Sequence, residues 1–517
     1  MTPLMKQYWE IKEQHQDKVL LFRMGDFYEM FHQDAITAAP ILNIALTQRN
    51  KKSQDETPMC GVPHHSIASP IGKLLQAGHK VAICDQLEDP ETAKGIVKRG
   101  VTRILSPGMV YDPETLNELQ ANYLCAFNES KISFLDVSTG EAFSYKTAPG
   151  VVGQKTRDQL LALLRPVELV VTAQQKTELF KNLETGSLFI AGEAVHLTTF
   201  DRSETEPSDR LKAYAVAMQG EAVLSILKPF EERSLSSQMP LGETVIRHLE
   251  IFKTTKGDDK GSLFHALNRT KTSAGARLLK SWLQFPLIDA KSIEARQEKV
   301  EKWTKSLGEL KSLRQALQGL GDIERRMSKI PSSNCNVHDL VALESSLSTG
   351  LALARLSPDL EREISAENCR SIAELAAGIR NTLVDEPPLQ TKAGGFIRRE
   401  HSQEFDELVT LAEESQKLLL ELETREKEKT GISSLKVRYN SVFGYYIEIT
   451  NTHSNKVPDH YKRKQTLANA ERFMTQELME LETKILSARA KRVEYEERVF
   501  QDLKKQILAC AAEIRRA

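Results

Sequence analysis

Short apolar runs alternate with helical spacing over the first 110 residues. Residues 18–24 (KVLLFRM) and 80–86 (KVAICDQ) are continuous apolar runs with the length of a buried strand. Gly25 and Asp26 interrupt the first run, and FYEMFHQDAITAA then has the spacing of an amphipathic helix. SPIGKLLQAG, before the second run, is also helical in spacing. This mixture predicts a small α/β or α+β domain.

A second mixed region begins near residue 117. KISFLDVSTGEAFSYK has two strand-like runs around a turn at residues 138–140, which is the pattern of a hairpin. Another strand-like run lies at 168–173, and the polar segment 199–210 is typical of a loop. These elements predict a second α/β domain.

Strand patterns disappear between about residues 240 and 395, where amphipathic segments predict an all-helical domain. Two long helical patterns follow, separated by SSLKVRYNSVFGYYIEIT, which predicts a strand, a turn and a strand. The second pattern runs from about Glu471 to the end, some 45 residues or roughly 65 Å of helix. The region therefore predicts two coiled-coil-like arms with a β-rich tip. The predicted seam is Phe405, Leu408, Ala412, Leu419, Leu422, Leu478, Leu481, Ile485, Ala488, Val499, Leu503, Ile507, Cys510 and Ile514.

Composition narrows the class of protein only slightly. The 517 residues are 40% hydrophobic and 27% charged, with a net charge of −1. That is an ordinary balance for several globular domains. The sequence has no apolar stretch that predicts a membrane span or a signal peptide, so we expect a cytoplasmic protein. Its six cysteines are scattered without a CxxC pair, which argues against a zinc ribbon and a disulfide framework.

The segment GDFYEMF at residues 25–31 allows two interpretations. In the first, Asp26 caps a helix and Glu29 completes a variant capping box, while the apolar residues enter the core. In the second, Phe27 projects outward at the helix start beside the Glu29 carboxylate. An exposed aromatic ring can wedge between bases, which unstacks a base step and kinks the duplex. Unstacking costs less at a mismatched pair, so such a wedge would be selective.

This segment and those that follow it resemble the MutS family. GDFYEMF contains the Phe-x-Glu pattern of the family's mismatch-recognition domain, at Phe27 and Glu29. Further similar stretches cover nearly the whole chain in the family's order. They are ALTQR (45–49), PMCGVPHHS (58–66), VAICDQLEDP (81–90), RILSPG (103–108), FLDVSTGEAF (134–143), GSLFHALNRTKTSAGARLLKSWLQFPL (261–287), GDIERR (321–326), LKVRYNSVFGYYIEIT (435–450) and YKRKQTLANAERF (461–473).

The resemblance implies specific roles near the N-terminus. In the family, the Phe stacks on a mismatched or unpaired base from the minor groove and the Glu hydrogen-bonds that base. These roles transfer to Phe27 and Glu29. Because phosphates repel a carboxylate, Glu29 also disfavours DNA that offers it no partner. Arg49, Pro58 and Met59 lie in stretches that resemble the family's loops for contacting the DNA backbone.

Two basic clusters are candidates for phosphate contact. Within ten residues, Lys94, Lys98, Arg99 and Arg103 occur without an acid, although a solvated basic face is the alternative interpretation. The second cluster is the predicted tip, which resembles the family's clamp. Strand alternation puts Lys436, Arg438 and Asn440 on one face, and Leu435, Val437 and Tyr439 on the other. The tip also contains Lys456, Lys462, Arg463, Lys464 and Arg472, diluted by Asp459 and Glu471.

The sequence bears on two enzymatic possibilities, a nuclease and an ATPase. The resemblance implies an RNase-H-like connector, a fold that can carry metal-binding carboxylates, and Asp136 and Glu141 are the candidates. No convincing third ligand accompanies them. The P-loop pattern GxxxxGK[ST], needed to hold ATP phosphates, occurs nowhere in the chain; GIVKRG and KAGGFIRR do not match it. We therefore expect no enzyme activity, no catalytic residue and no metal or other cofactor in this chain. ATP and magnesium belong to the family's ATPase domain, which we expect to be absent.

The sequence thus predicts a multidomain α/β plus all-α protein. The predicted divisions are a mismatch-recognition domain (1–112), a connector (113–238), a helical core (239–395, with 505–517 returning) and a clamp (396–504). Its expected function is recognition of mismatched or unpaired bases in duplex DNA, in a nucleoid-associated cytoplasmic protein. The resemblance implies a homodimer, which is doubtful without the ATPase domain, and a downstream factor of the MutL type. The alternatives are a structural coiled-coil scaffold and a metal-dependent nuclease.

Overall fold

The structure is a computed structural model. It describes residues 2–49, 57–88, 95–110, 116–180, 188–190, 193–201, 206–332, 334–356, 362, 364–389, 391, 394–440 and 444–517. Within these residues, two sheets that are each packed against helices are followed by a helical body. Two long helices then extend from this body and carry a third sheet.

The first sheet has six strands. Its elements are α1 (Pro3–Glu13), β1 (Lys18–Met24), β2 (Phe27–Phe31), α2 (His32–Leu42), β3 (Thr47–Arg49), β4 (Thr57–Pro63), α3 (Ala68–Gln76), β5 (Lys80–Gln86) and β6 (Arg99–Leu105). The strand order is β3-β4-β2-β1-β5-β6, and only β1 and β5 are parallel. Helices α2 and α3 pack on one face and α1 on the other. Both faces of β1 and β5 are therefore buried, which is why their sequences are continuously apolar.

The predicted helix start at Asp26 is wrong, because residues 27–31 form β2. Phe27 pairs with Met24 of β1 and with Pro63 of β4, so the backbone is held on both sides. Tyr28 and Met30 enter the core, and this alternation is that of a strand. The helix begins only at His32.

The second sheet has seven strands in the order β11-β12-β10-β7-β8-β9-β13. Its elements are β7 (Leu124–Phe127), β8 (Lys131–Asp136), β9 (Glu141–Lys146), α4 (Gly150–Leu164), β10 (Glu168–Val171), α5 (Ala173–Phe180), β11 (Leu188–Ile190), β12 (Glu193–Thr199), α6 (Pro207–Gln219) and β13 (Glu231–Arg233). The hairpin predicted around residues 138–140 is confirmed. The predicted loop at 199–210 is wrong from Pro207 onward, where Pro at the first helical position begins α6.

The helical body contains α7 (Glu243–His248), α8 (Leu263–Leu267), α9 (Ser273–Gln284), α10 (Ala290–Lys305), α11 (Leu307–Ala316), α12 (Ile323–Lys329), α13 (Val337–Ala354) and α14 (Ala366–Thr382). Its described residues between 240 and 395 contain no strand longer than an isolated bridge. The main core of this body is shared by α12, α13, α14 and the end of the returning arm.

The arms are α15 (Gln403–Thr430) and α16 (Gln476–Ala509), and a short α17 (Ala511–Arg516) follows. Ion pairs Arg425–Glu477 and Arg498–Glu404 join opposite ends, so the arms run antiparallel. Helix α16 spans about 50 Å at 1.5 Å per residue, shorter than predicted. The predicted start of the second arm at Glu471 is wrong, since that residue belongs to a strand.

The tip is a four-stranded antiparallel sheet in the order β14-β15-β17-β16. Its strands are β14 (Lys436–Asn440), β15 (Gly444–Thr450), β16 (Lys462–Thr466) and β17 (Ala470–Met474). Val437, Ile447 and Phe473 pack with apolar residues of both arms. The other face of the sheet is therefore turned away from the arms.

Candidate nucleic-acid interface

A tight hairpin presents Phe27 at the end of the first sheet. Only Gly25 and Asp26 separate β1 from β2, and Gly25 has φ of +57°. A two-residue hairpin loop needs left-handed backbone, which glycine adopts without strain. Phe27 is therefore the first residue after the turn, and its side chain is 46% exposed.

Glu29 shares a strand face with Phe27, because side chains alternate along β2. Phe27 lies opposite Pro63 and Glu29 opposite Gly61 in the register with β4. The intervening Tyr28 is buried on the other face. The sequence-predicted pair is thus brought together, by strand alternation rather than by a helix end.

Side-chain contacts behind the pair help to hold the strand. The Tyr28 hydroxyl and the Thr102 hydroxyl both donate hydrogen bonds to Asp85. The Arg23 guanidinium lies 5.5 Å from the centre of the Tyr28 ring. Sequence analysis did not single out Tyr28 or Asp85. The alternation of Phe27, Tyr28 and Glu29 could have revealed Tyr28, whereas the contact with Asp85 across the sheet could not be foreseen.

Partial burial sets the electrostatics of Glu29. Burial raises the pKa of its carboxyl, and the positive charge of Arg49 acts in the opposite direction. Arg49 lies 5.6 Å from the Phe31 ring centre and 3.7 Å from the Met24 sulfur. The carboxyl is therefore easier to protonate than an exposed glutamate, although a cation lies nearby.

Arg49, Pro58 and Met59 occupy the neighbouring strands β3 and β4. Arg49 pairs with Thr57, Pro58 with Gln48, and Met59 with Phe31 of β2. Pro58 and Met59 are both half-buried. The three predicted backbone-contacting residues are thus contiguous with the strand of Phe27 and Glu29.

The described members of the predicted basic cluster at 94–103 do not share one surface. Lys94 lies outside the described residues, and Lys98 is exposed. Arg99 donates to the Arg23 carbonyl at 2.7 Å and lies 5.3 Å from the Phe22 ring, on the face covered by α1. Burial lowers the pKa of Arg99. Its guanidinium therefore serves packing within the domain.

Arg103 lies on the opposite face of the same sheet. It lines a cavity of about 600 Å³ together with Lys504 of α16 and residues of the helical body. The expectation of a single basic face is wrong because β6 is a strand, whose alternation and bulge send nearby side chains in different directions. Phosphate contact by these residues stays a prediction.

The tip brings several predicted basic residues together on one sheet. Lys436 lies opposite Glu448, and Glu448 lies opposite Arg472, so these side chains share the face turned away from the arms. Glu448 forms ion pairs with Arg438 at 3.3 Å and Arg472 at 3.7 Å. Arg472 also lies 4.3 Å from the Tyr446 ring centre. The sequence-predicted grouping of Lys436 with Arg438 is present.

The remaining tip cations differ in their surroundings. Arg463 pairs with Glu471 at 3.1 Å. Lys462 and Lys464 are exposed on the edge strand β16. Within the described part of the chain, neither Lys436 nor Lys462 forms an ion pair. Sequence reasoning missed Glu448 as a neutralising partner, since only the pairing of β14, β15 and β17 reveals it.

The two candidate carboxylates of the second sheet are held by the protein itself. Asp136 is fully buried and accepts hydrogen bonds from Ser138 N at 2.8 Å, Ser138 Oγ at 2.6 Å and Asn122 N at 2.9 Å. Glu141 accepts from Tyr123 at 2.8 Å and from Arg233 at 2.9 Å. Both line a cavity of about 1350 Å³ that contains none of the predicted DNA-contacting residues. These contacts account for both carboxylates as structural groups.

Comparison with known proteins identifies similar families and relatives. A family model described as MutS domain I matches residues 2–114, and one described as MutS domain III matches residues 244–517. The chain is 40% identical to the DNA mismatch repair protein MutS of Syntrophobacter fumaroxidans, covering 100% of this chain and 61% of that relative. It is 38% identical to the protein of that name from Methanothrix thermoacetophila, covering 98% and 61%.

A third relative, the DNA mismatch repair protein MutS of Halothermothrix orenii, is 37% identical over 97% of this chain and 59% of its own length. The chain thus spans about 60% of the length of the curated relatives it matches. Among the described helices, none combines the length and apolarity required to cross a membrane.

Proposed function

This chain belongs to the MutS family, and on that premise we propose that it recognises mismatched or unpaired bases in duplex DNA. Its relatives are named DNA mismatch repair proteins, which gives the class of process. The observation that carries the proposal is the exposed Phe27 ring beside Glu29, on a strand held between two others.

Phe27 acts as the wedge. An aromatic ring inserted from the minor groove must displace a stacked base, which costs a few kcal/mol in a well-paired duplex and less at a mismatch. The hairpin is held by β4 and by the Tyr28–Asp85 contact, so the backbone that presents the ring is ordered before DNA arrives. Less conformational entropy is then lost on insertion.

Glu29 selects the base beside the wedge. Burial already raises the pKa of its carboxyl in the free protein, and neighbouring phosphates raise it further. A protonated carboxyl can donate a hydrogen bond to a displaced base without charge repulsion. In a normal pair the base stays stacked and its pairing edge stays occupied by its partner base, so Glu29 contributes discrimination rather than general affinity.

The tip supplies affinity without sequence preference. Its outward face and edge carry Lys436, Arg438, Lys462 and Lys464, which are exposed cations of the kind that bind phosphates. Glu448 and Glu471 lower the net charge there, so Lys436 and Lys462 carry most of the electrostatic attraction. Duplex DNA is thus held at the tip and tested at Phe27.

The residues of this chain do not support the ATP hydrolysis that the resemblance implies for the family. No P-loop is available in this sequence to hold ATP and magnesium, so we assign no ATP hydrolysis to it. A homodimer and a MutL-type partner remain proposals from the resemblance. A nuclease is not favoured, because the oxygens of Asp136 are occupied by internal donors. A scaffold role leaves the exposed Phe27 unexplained.

Fluorescence anisotropy with labelled duplexes, with and without a G·T mismatch, tests the proposal. Base–aromatic stacking contributes roughly 1–3 kcal/mol, so Phe27→Ala should weaken mismatch binding roughly 5- to 150-fold. Homoduplex binding should change little. Ile36→Ala is the matched control, since Ile36 is 45% exposed in the same domain but on α2.

The outcomes separate the parts of the proposal. Loss of mismatch preference in Phe27→Ala alone supports the wedge. Preference that survives in Phe27→Ala overturns it. Salt-sensitive binding without any preference in the wild type would leave only phosphate contact by this chain, with discrimination depending on a second subunit. Absence of binding at low salt would refute the proposed function of the chain by itself.

A further inference from the structure

A buried carboxylate is enclosed by backbone at the root of the arms. Glu496 of α16 is fully buried. Its oxygens accept hydrogen bonds from Gly395 N at 2.8 and 3.0 Å and from Phe396 N at 3.0 Å. The Arg492 Nε, one helical turn earlier, donates to the same carboxylate at 2.8 Å. Charge-assisted bonds of this kind are strong and directional.

The shape of the enclosing backbone depends on two glycines. Gly394 and Gly395 have φ of +75° and +93°, a conformation that side chains rarely permit. A Cβ at position 394 would stand only 2.9 Å from Oε1 of Glu496. Successive N–H groups in such a turn form a concave anion-binding site, and here the bound anion is the protein's own Glu496.

The same turn of α16 also holds the start of the outgoing arm. Tyr495 stacks on Phe405 with 5.5 Å between ring centres. The Tyr495 hydroxyl lies 2.6 Å from Oγ of Ser402, the residue that caps α15. The arms therefore leave the helical body through one compact joint, which comprises residues 394–405 and the Arg492–Glu496 turn.

We propose that Glu496 is a positioning residue that sets the direction of the arms and so the location of the basic tip. Twenty residues of α16 separate it from Gln476, a lever of about 30 Å. A rotation of about 10° at the joint would displace the tip by about 5 Å, beyond hydrogen-bond reach of a phosphate. The effect of Glu496 on the direction of the arms does not depend on the proposed function, whereas its consequence for DNA binding rests on that function.

Single-molecule energy transfer in the absence of DNA measures the arm direction. The dyes are attached through ketone-bearing amino acids at two exposed positions, Asn469 in the tip and Arg370 in α14. Glu496→Gln keeps the side-chain size but replaces an acceptor oxygen with a donor that faces the Gly395 and Phe396 amides. We expect the tip-to-body distance to shift or broaden by about 5 Å. Glu494→Gln, at an exposed glutamate on the same helix, should leave it unchanged.

Two further measurements distinguish a displaced tip from an unfolded variant. Thermal unfolding shows whether Glu496→Gln is folded at the assay temperature. If it is not, Gly394→Ala decides, because its added Cβ meets the same carboxylate and should shift the distance equally. A distance distribution equal to that of the wild type in the folded variant overturns the proposal. If the tip moves in Glu496→Gln but the wild type itself binds no DNA, the joint stands and the proposed function fails.

Discussion

Two lysines at the tip allow a quantitative test of phosphate binding. Lys436 on β14 and Lys462 on β16 are exposed at opposite edges of the four-stranded sheet. Neither forms an ion pair within the part of the chain that the structure describes, whereas Arg438, Arg463 and Arg472 are paired with Glu448 or Glu471. Removing the two lysines should therefore remove attraction to DNA without breaking an ion pair.

The magnitude follows from counterion release. Each phosphate contact contributes about 0.9 to the slope of log affinity against log salt concentration. If each lysine neutralises one phosphate, the variant Lys436→Ala/Lys462→Ala should have a slope smaller by about 1.8. Between 50 and 200 mM salt, the wild type should then lose about twelvefold more affinity than the variant.

The assay is anisotropy of a labelled homoduplex at several salt concentrations. A homoduplex isolates phosphate contact, because Phe27 has no mismatched base to stack on. Lys291→Ala/Lys311→Ala, which removes two exposed lysines from the helical body, should leave the slope near that of the wild type. A slope unchanged in the tip variant, or reduced equally in both variants, would refute phosphate contact by Lys436 and Lys462.

Three further predictions concern other parts of the molecule. Because burial raises the pKa of Glu29 and phosphates raise it further, mismatch affinity should increase as pH falls toward the pKa of Glu29 in the complex; Glu29→Gln should flatten this dependence in anisotropy titrations, and an equally steep profile would contradict the assignment. Glu168→Ala should destabilise the protein by about 3–5 kcal/mol, because Ser106, Gly108 and Tyr214 lose a buried acceptor. Denaturant unfolding with exposed Glu178→Ala as control measures this, and a loss below about 1 kcal/mol would show that the surroundings of Glu168 repack, contrary to the prediction. Ile485→Ala should cost about 2–5 kcal/mol, since its side chain is fully buried between the arms and the tip; loss of helical circular dichroism on heating reports it, and an unchanged transition would contradict the packing of the arms.

Local sequence determined most individual elements. The runs at 18–24 and 80–86 became buried strands with those bounds, since a continuous apolar run needs both sheet faces covered. The spacing of three and four residues in the arms likewise placed Leu478, Leu481 and Ile485 at the buried seam. Motif resemblance carried the family assignment, because short motifs in a fixed order are recorded in the sequence itself.

Local pattern failed where strand pairing competed with helical spacing. GDFYEMF is compatible with a helix cap and also with a two-residue hairpin. The strands that decide between them are β1, which lies across the turn, and β4, which is remote in the sequence. The same limitation applied to residues 98–103. Nearness along the chain suggested one basic surface, yet the faces of β6 separate Arg99 from Arg103.

The sequence by itself determined the family and the order of helices and strands with few exceptions, and it supplied the candidate residues for DNA contact. Tertiary structure decided which of those residues act together. It paired Arg438 with Glu448, placed Glu29 beside Arg49, and buried Glu496 against Gly395. These are long-range contacts, and their energy depends on burial and distance that no local pattern contains. For this reason, the candidate cations are evident from the sequence, but which of them remain available to a phosphate is not.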